Sequence, residues 1–224
     1  IRLLKSYRKN FNPKKPGQPK MYTPKHFEEN DRLKLVEFMK EYNFATMVNS
    51  AKKRYWATHL PFLVEETGGE IILKAHMAKA NPQWANFKPD EDVLVIFQEP
   101  HAYISPKLYE DPVSVPTWNY IAVHAYGVPE ILPGIEERIA MLEESFKVFE
   151  SSFKEQWDVL PVDYKNELLE GIVAFRIKIT NIEGKFKLSQ NRTEGDRTRI
   201  IDALSSKDDK TKHDIASYME NRKK

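Results

Sequence analysis

The sequence predicts a mainly β protein of the α+β class, an antiparallel sheet or barrel with flanking and C-terminal helices. Three observations lead there. Six strand-like segments occur, and five of them precede residue 130 with almost no helix between them, whereas parallel strands would need a crossover helix each time. One block of helical period follows at 133–153, and charged, helix-prone stretches close the chain.

In chain order, NDRLKLVEFMKEY carries Leu35, Val36, Phe38, Met39 and Tyr42 on a helix capped by Asn30 or Asp31. The strand segments FATMVN from Phe44, WATHLPFLVE from Trp56 and EIILKAH from Glu70 follow. Thr67-Gly68-Gly69 joins the second and third as a hairpin. DVLVIFQ from Asp92 and NYIAVHAYGV from Asn119 are the next two. Pro133 and Gly134 then open a helix in which Ile135, Ile139, Leu142, Phe146, Phe149 and Phe153 recur at three and four residues. Residues 162–170 form a shorter helix. GIVAFRIKITNI alternates Val173, Phe175, Ile177 and Ile179 with Ala174, Arg176, Lys178 and Thr180, a strand with one covered face. TEGDRTRIIDAL and DKTKHDIASYMENRKK end the chain as helices on the domain surface.

The composition bounds the function. With 224 residues, 41% hydrophobic and 30% charged, the chain is too apolar for disorder and too charged for a membrane bundle. No apolar run approaches the roughly 18 residues of a membrane span. Zero cysteines remove thiol nucleophiles, Fe–S clusters, Cys-ligated zinc and disulfides, and suit a reducing cytoplasm. Arg2, Lys5, Arg8, Lys9, Lys14, Lys15 and Lys20 make the first 20 residues a basic leader. Its seven cations leave 28 basic against 33 acidic residues from Met21 onward, a net −5. The leader reads either as a nucleic-acid arm or, the plainer reading, as sequence upstream of a natural start at Met21. The expected division is therefore leader 1–20, domain 21–204 and helical tail 205–224.

The common enzyme signatures are absent. Eight glycines form no GxGxxG or GxxxxGK[ST] loop, and no GxSxG elbow or HExxH pair occurs. The six histidines do not fall at metal-ligand spacings, so neither a metal site nor a catalytic residue is assigned. Three stretches carry chemistry. KAHMAKANPQW, from Lys74 to Trp84, brings Lys74, His76 and Lys79 to a strand end and turn, where they could hold a phosphate without a glycine loop. Its plain alternative is a solvated loop. PHAYISPKLYEDPVSVPTWNY, from Pro100, gathers Tyr103, Tyr109, Trp118, Tyr120, His101 and four prolines, which suits either stacking on a planar ligand or second subunit, or a rigid lid. GKFKLSQNR, from Gly184, bunches Lys185, Lys187, Gln190, Asn191 and Arg192. With Arg197 and Arg199 it is the best local basic patch outside the leader, or else a solvated turn.

MYTPKHF at Met21, ATHLPF at Ala57, HMAKANPQW at His76, VLVIFQEPHAYISP at Val93, VPTWNYIAVHAYG at Val115 and KLSQNR at Lys187 together resemble the PaiB-type FMN-binding negative transcriptional regulators. The resemblance runs from Met21 to about Leu204. It implies a six-stranded antiparallel split β-barrel that binds FMN, as a homodimer with the flavin at the subunit interface. By motif, it puts Thr58 and His59 on the strand beside the flavin. His76, Met77, Ala78, Lys79 and Asn81 fall at the neighbouring strand end and turn. Trp118 and Asn119 come from the aromatic loop, across the dimer, and Lys187, Gln190 and Arg192 from the late loop. A cation at the flavin's polar edge, Lys79 or Lys187, would favour the reduced anionic form.

The function so implied is negative regulation of protease production and sporulation genes. The alternative is an FMN-dependent oxidoreductase, of flavin reductase or pyridoxamine-phosphate-oxidase type, with an indirect regulatory effect. DNA is a possible partner through the Lys185–Arg199 patch, but the net −5 offers no general attraction to it and no basic recognition helix is evident. A membrane partner is not expected.

Overall fold

The protein is described by a computed structural model over residues 20–221, so the leader falls almost wholly outside the described residues. Eight strands form one antiparallel sheet: β1 (Glu28–Glu29), β2 (Phe44–Ala51), β3 (Arg54–Pro61), β4 (Leu63–Thr67), β5 (Glu70–Ala78), β6 (Val93–Ile104), β7 (Thr117–Ile131) and β8 (Ile172–Lys187). Their order is β3-β2-β6-β7-β8-β5-β4, with β1 paired to β8. Six α-helices accompany it among the described residues: α1 (Arg32–Glu41), α2 (Ile135–Phe149), α3 (Phe153–Val159), α4 (Val162–Glu170), α5 (Glu194–Ser205) and α6 (Lys210–Asn221).

The count of eight strands corrects the expected six. The run from Trp56 is divided at Phe62, whose N–H donates to Asn43 O at 2.9 Å as the last bond toward β2, after which β4 pairs with β5 instead. The Phe62 ring is fully buried, 6.0 Å from Phe97 and 6.4 Å from Phe175. Chain direction changes at that anchor, so β3 and β4, the two ends of the sheet path, are joined by one residue. A sheet whose ends meet in this way must curl. The two-residue β1 supplies the other extra strand.

Two tight turns show how local sequence sets register. Gly68 and Gly69 both take positive φ, +61° and +82°, as the β4–β5 hairpin requires. Lys52 and Lys53 do the same between β2 and β3, at +51° and +62°, with no glycine to announce it.

One face of the curled sheet holds the main core. Leu73 and Met77 of β5, Val95 and Phe97 of β6, Ile121 and Val123 of β7, and Phe175 and Ile177 of β8 alternate into it. Asp31 caps α1 by accepting the Leu33 N–H at 3.1 Å, and α1 buries Leu35, Val36, Phe38 and Met39 there. The terminal helices add Ile200, Ile201 and Leu204, then Ile215, Ala216 and Met219. Each large side chain so buried contributes roughly 1.5–3 kcal/mol, which is why α5 and α6 are integral to this core.

The 133–153 block also differs from expectation. It breaks at Glu150, whose φ and ψ of −161° and 88° are not helical, and Phe153 begins α3 instead. Ser151 and Ser152, weak helix formers, occupy the break. Phe146 still meets Phe153 and Trp157, at 4.9 and 5.4 Å between ring centroids. In α2 only Met141 is buried, in a small cluster with Leu63, Leu132 and Ala174 on the opposite sheet face. The predicted stripe is correspondingly open, with Ile135 and Phe149 exposed.

Candidate functional site

Partnered residues on neighbouring strands share a face. The register His59↔Thr46↔Ile96↔His124↔Glu183 therefore draws one row across five strands, on the face opposite the main core. A second row, Ala57↔Val48↔Leu94↔Tyr126↔Asn181, lies beside it. Thr46, Val48, Leu94, Ile96, His124 and Tyr126 are half-buried there, while Ala57 and His59 are exposed. The result is a mixed apolar and polar sheet surface. The His124 Nδ1 is buried without a partner, and burial pushes the imidazole below its ordinary pKa, with Glu183 opposing and Lys185 reinforcing the shift.

The predicted contacts divide between several places. Thr58 and His59 are consecutive on β3 and so face opposite ways. His59 is on the open face, its Nδ1 2.9 Å from Thr46 Oγ1. Thr58 points inward, accepts from Asn81 Nδ2 at 2.9 Å and donates to Gln83 Oε1. His76 and Met77 diverge in the same manner. Met77 is packed in the core, while burial of His76 lowers its pKa. Lys74, on the His76 side, is held at 2.7 Å by both Glu65 and Glu144. Burial opposes its charge, but the two carboxylates outweigh that and raise its pKa. Lys74 is thus committed to two carboxylates of the protein itself. Ala78 and Lys79 are exposed, and Lys79 forms none of the ion pairs found among the described residues.

A second group gathers at the start of β7 and the end of β8. Trp118 is half-exposed and packs against Tyr103 and His101, at 5.8 and 5.9 Å between centroids. The Lys187 Nζ donates to Trp118 O at 2.7 Å and to the Thr117 hydroxyl, and burial, then Lys185, lowers its pKa. Asn119, in contrast, is fully buried, accepting from the Ser189 hydroxyl at 3.0 Å. Gln190 closes its own turn through the Leu188 N–H at 2.7 Å and Phe186 O at 2.5 Å. Arg192 stacks over Tyr109, 3.9 Å from the ring centroid. The side chains of Met77, Asn119, Gln190 and Arg192 thus hold the fold's own contacts. Sequence spacing could not separate these from exposed donors, since the loop's inward turn depends on Ser189 at φ +59°.

A cavity of about 710 Å³ opens at the Tyr126 end of β7, away from Trp118, lined by Val48, Asn49, Tyr55, Asp90, Asp92, Leu94, Tyr126 and Thr180 among others. It contains none of the predicted contacts. Two carboxylates and no lining Lys, Arg or His make it unsuited to a phosphate dianion. The Lys79 turn does suit one. An isoalloxazine ring needs a flat, largely apolar wall with a few polar partners, and the open sheet face has both, including the orphaned His124 nitrogen. The residues present therefore fit a flavin mononucleotide. Residues that sequence reasoning missed here are His124 and Gln83, whose burial has no signature in spacing.

Comparison with known proteins agrees with that chemistry. Residues 21–181 match the family model described as "Putative FMN-binding domain". The chain is 38% identical over 207 residues to protease synthase and sporulation protein PAI 2 of Bacillus subtilis, covering 91% of this chain and 99% of that one. Among solved structures, it resembles the flavocytochrome Anf3 of Azotobacter vinelandii with a TM-score of 0.57 and 12% identity, over 71% of this chain and 69% of that one. The FAD and heme binding protein of Mycobacterium smegmatis gives 0.56 and 13%, over 72% and 73%. At such identities the two structures speak for the fold alone. The family match and the Bacillus relative together show that this chain belongs to the PaiB-type FMN-binding family, with FMN as its cofactor.

Proposed function

We propose that this chain is a cytoplasmic, FMN-binding negative regulator of protease production and sporulation, in line with the name of its 38% identical relative. It acts as a homodimer, with residues 21–204 forming a split-barrel flavin domain completed by the terminal helix. One observation carries the dimeric site. The Lys79 turn and edge strand β3 hold one group of flavin contacts and the start of β7 holds the other, with β3 and β7 three strand positions apart in the sheet. That is roughly 14 Å by strand spacing alone. A second copy laid on the open face would bring Trp118 of one chain toward the β3 edge of the other.

In that arrangement Lys79 pairs with the flavin phosphate, while Val48, Leu94 and Ile96 exclude water from the interface. His124 offers its unpartnered nitrogen within it, and Trp118 supplies a ring for stacking. When bound, FMN supplies reversible electron uptake, which makes the regulator responsive to redox state. Direct operator binding is disfavoured. Each cation of the Lys185–Arg199 patch is already engaged: Lys185 with Tyr22 O, Lys187 with Trp118 O, Arg192 with Tyr109, Arg197 with Met219 O and Arg199 with Leu108 O.

The test is the visible spectrum and sedimentation of the purified chain with added FMN. A stoichiometric flavin spectrum on a dimer is expected. A monomer that binds flavin would end the interface model, and NAD(P)H consumption above a protein-free control would favour the oxidoreductase. Salt-sensitive binding to one promoter but not to random duplex would restore direct repression.

A further inference from the structure

We infer that Gln83 is a positioning residue for the flavin phosphate: its buried amide locks the turn carrying Lys79 against edge strand β3. The inference rests on the proposed placement of the phosphate at that turn. Gln83 is 0% exposed, and an amide with no access to water is tolerated only where both of its ends are hydrogen-bonded. Both are. Nε2 lies 3.1 Å from Met47 O, 3.2 Å from Asn49 Oδ1 and 3.3 Å from Trp56 O, so this one group holds β2 and β3 together. Oε1 accepts the Thr58 hydroxyl.

Three bonds then close a ring. The Gln83 main-chain N–H donates to Asn81 Oδ1 at 3.0 Å, Asn81 Nδ2 donates to Thr58 Oγ1 at 2.9 Å, and Thr58 donates to Gln83. Thr58 has a single hydroxyl proton, which Gln83 takes, so Thr58 has none to give a ligand. The donors left over at the turn are the Lys79 ammonium and the Ala80 N–H, neither of which bonds to protein among the described residues, and the second proton of the Asn81 amide. The Trp84 Nε1 fixes the turn further by donating to Lys79 O at 2.9 Å. An ammonium and a main-chain N–H at one exposed turn are suited to a phosphate. The ring sets how far they stand from the strand that would flank the flavin. Thr58 therefore acts through Gln83 rather than by touching the flavin.

The experiment compares FMN with riboflavin, which lacks the phosphate, in fluorescence titrations of the full chain. Thr58→Val removes the one hydroxyl that closes the ring, at nearly constant volume. It should weaken FMN by about tenfold, the scale of one hydrogen bond. Riboflavin affinity should change by less than about twofold, and Thr58→Ser should restore FMN binding. Lys79→Ala, the control for the site itself, should also weaken FMN selectively. Equal losses for both ligands in Thr58→Val would overturn the inference, because damage to the ring-binding surface would then explain them. Unchanged FMN affinity in Thr58→Val beside a selective loss in Lys79→Ala would overturn the positioning role and leave the phosphate site standing. An unchanged FMN-to-riboflavin ratio in Lys79→Ala would remove both.

Discussion

Replacing Gly127 with alanine tests the geometry that shapes the open sheet face. Between β7 and β8 the register passes from Tyr126↔Asn181 to Gly127↔Ile179, leaving Thr180 as an extra residue on β8. That bulge puts Thr180 in the cavity wall, its hydroxyl 3.1 Å from Asp92 Oδ2 and 3.2 Å from Tyr126 O. A Cβ added at Gly127 would lie 2.3 Å from Lys178 O and 2.9 Å from both Lys178 C and Ile177 Cγ2. The first obstacle is a main-chain carbonyl in the ladder, which no rotamer change can move. The cost should fall at the upper end for overpacking, about 3 kcal/mol. For a chain of this size that lowers Tm by about 6–12 °C, read by circular dichroism. Gly68→Ala is the control: nothing lies within 4 Å of its Cβ, and only the φ of +61° opposes it. It should cost about 1–2 kcal/mol. If Gly127→Ala melts within about 2 °C of the parent, or no lower than Gly68→Ala, the close-approach argument fails.

Three further outcomes follow from the same contacts. Ile96→Glu puts a carboxylate in the open face, and each copy of a symmetric pair would bury one; sedimentation should then show a monomer, and a persistent dimer would locate the interface elsewhere. Arg192→Ala removes the guanidinium from the Tyr109 ring, which should cost about 1–2 kcal/mol and broaden the near-ultraviolet dichroism, whereas unchanged stability would mean the stacking contributes nothing. Burial holds His76 and His124 below the ordinary imidazole pKa, so the unfolded chain binds protons that the folded chain refuses as pH falls. Stability should therefore be complete above about pH 6.5 and decline below it until the folded-state pKa values are passed. The urea midpoint at pH 5.5 should lie below that at pH 7.5, by less in His76→Gln; equal midpoints in the parent would contradict the burial argument.

Much of the fold was legible because local signals agree with it. Alternation along β5, β6, β7 and β8 marks one buried face, Asp31 announces α1, and Gly68-Gly69 announces a hairpin. Failures occurred where local preference was overridden. Lys52 and Lys53 make a turn usually left to glycine, and the Pro61–Phe62 corner reads as continuous strand because its direction is set by a distant aromatic pocket. The long apolar period of α2 is real, yet it meets only a small cluster because the inner sheet face is already filled by α1, α5 and α6.

The candidate site divides along the same line. Motif and composition by themselves determined the chemistry: an antiparallel, cysteine-free flavin protein without a glycine phosphate loop, with Lys79 at a strand end and Trp118 beside an aromatic loop. Only tertiary structure decided which of the nominated side chains are free. It turned Thr58 inward and His59 outward, committed Lys74 to Glu65 and Glu144, stacked Arg192 on Tyr109, and buried Gln83 at a junction of two strands and a turn. The physical reason is that a residue's type sets which bonds it can form, whereas strand parity and long-range pairing set which partner reaches it first.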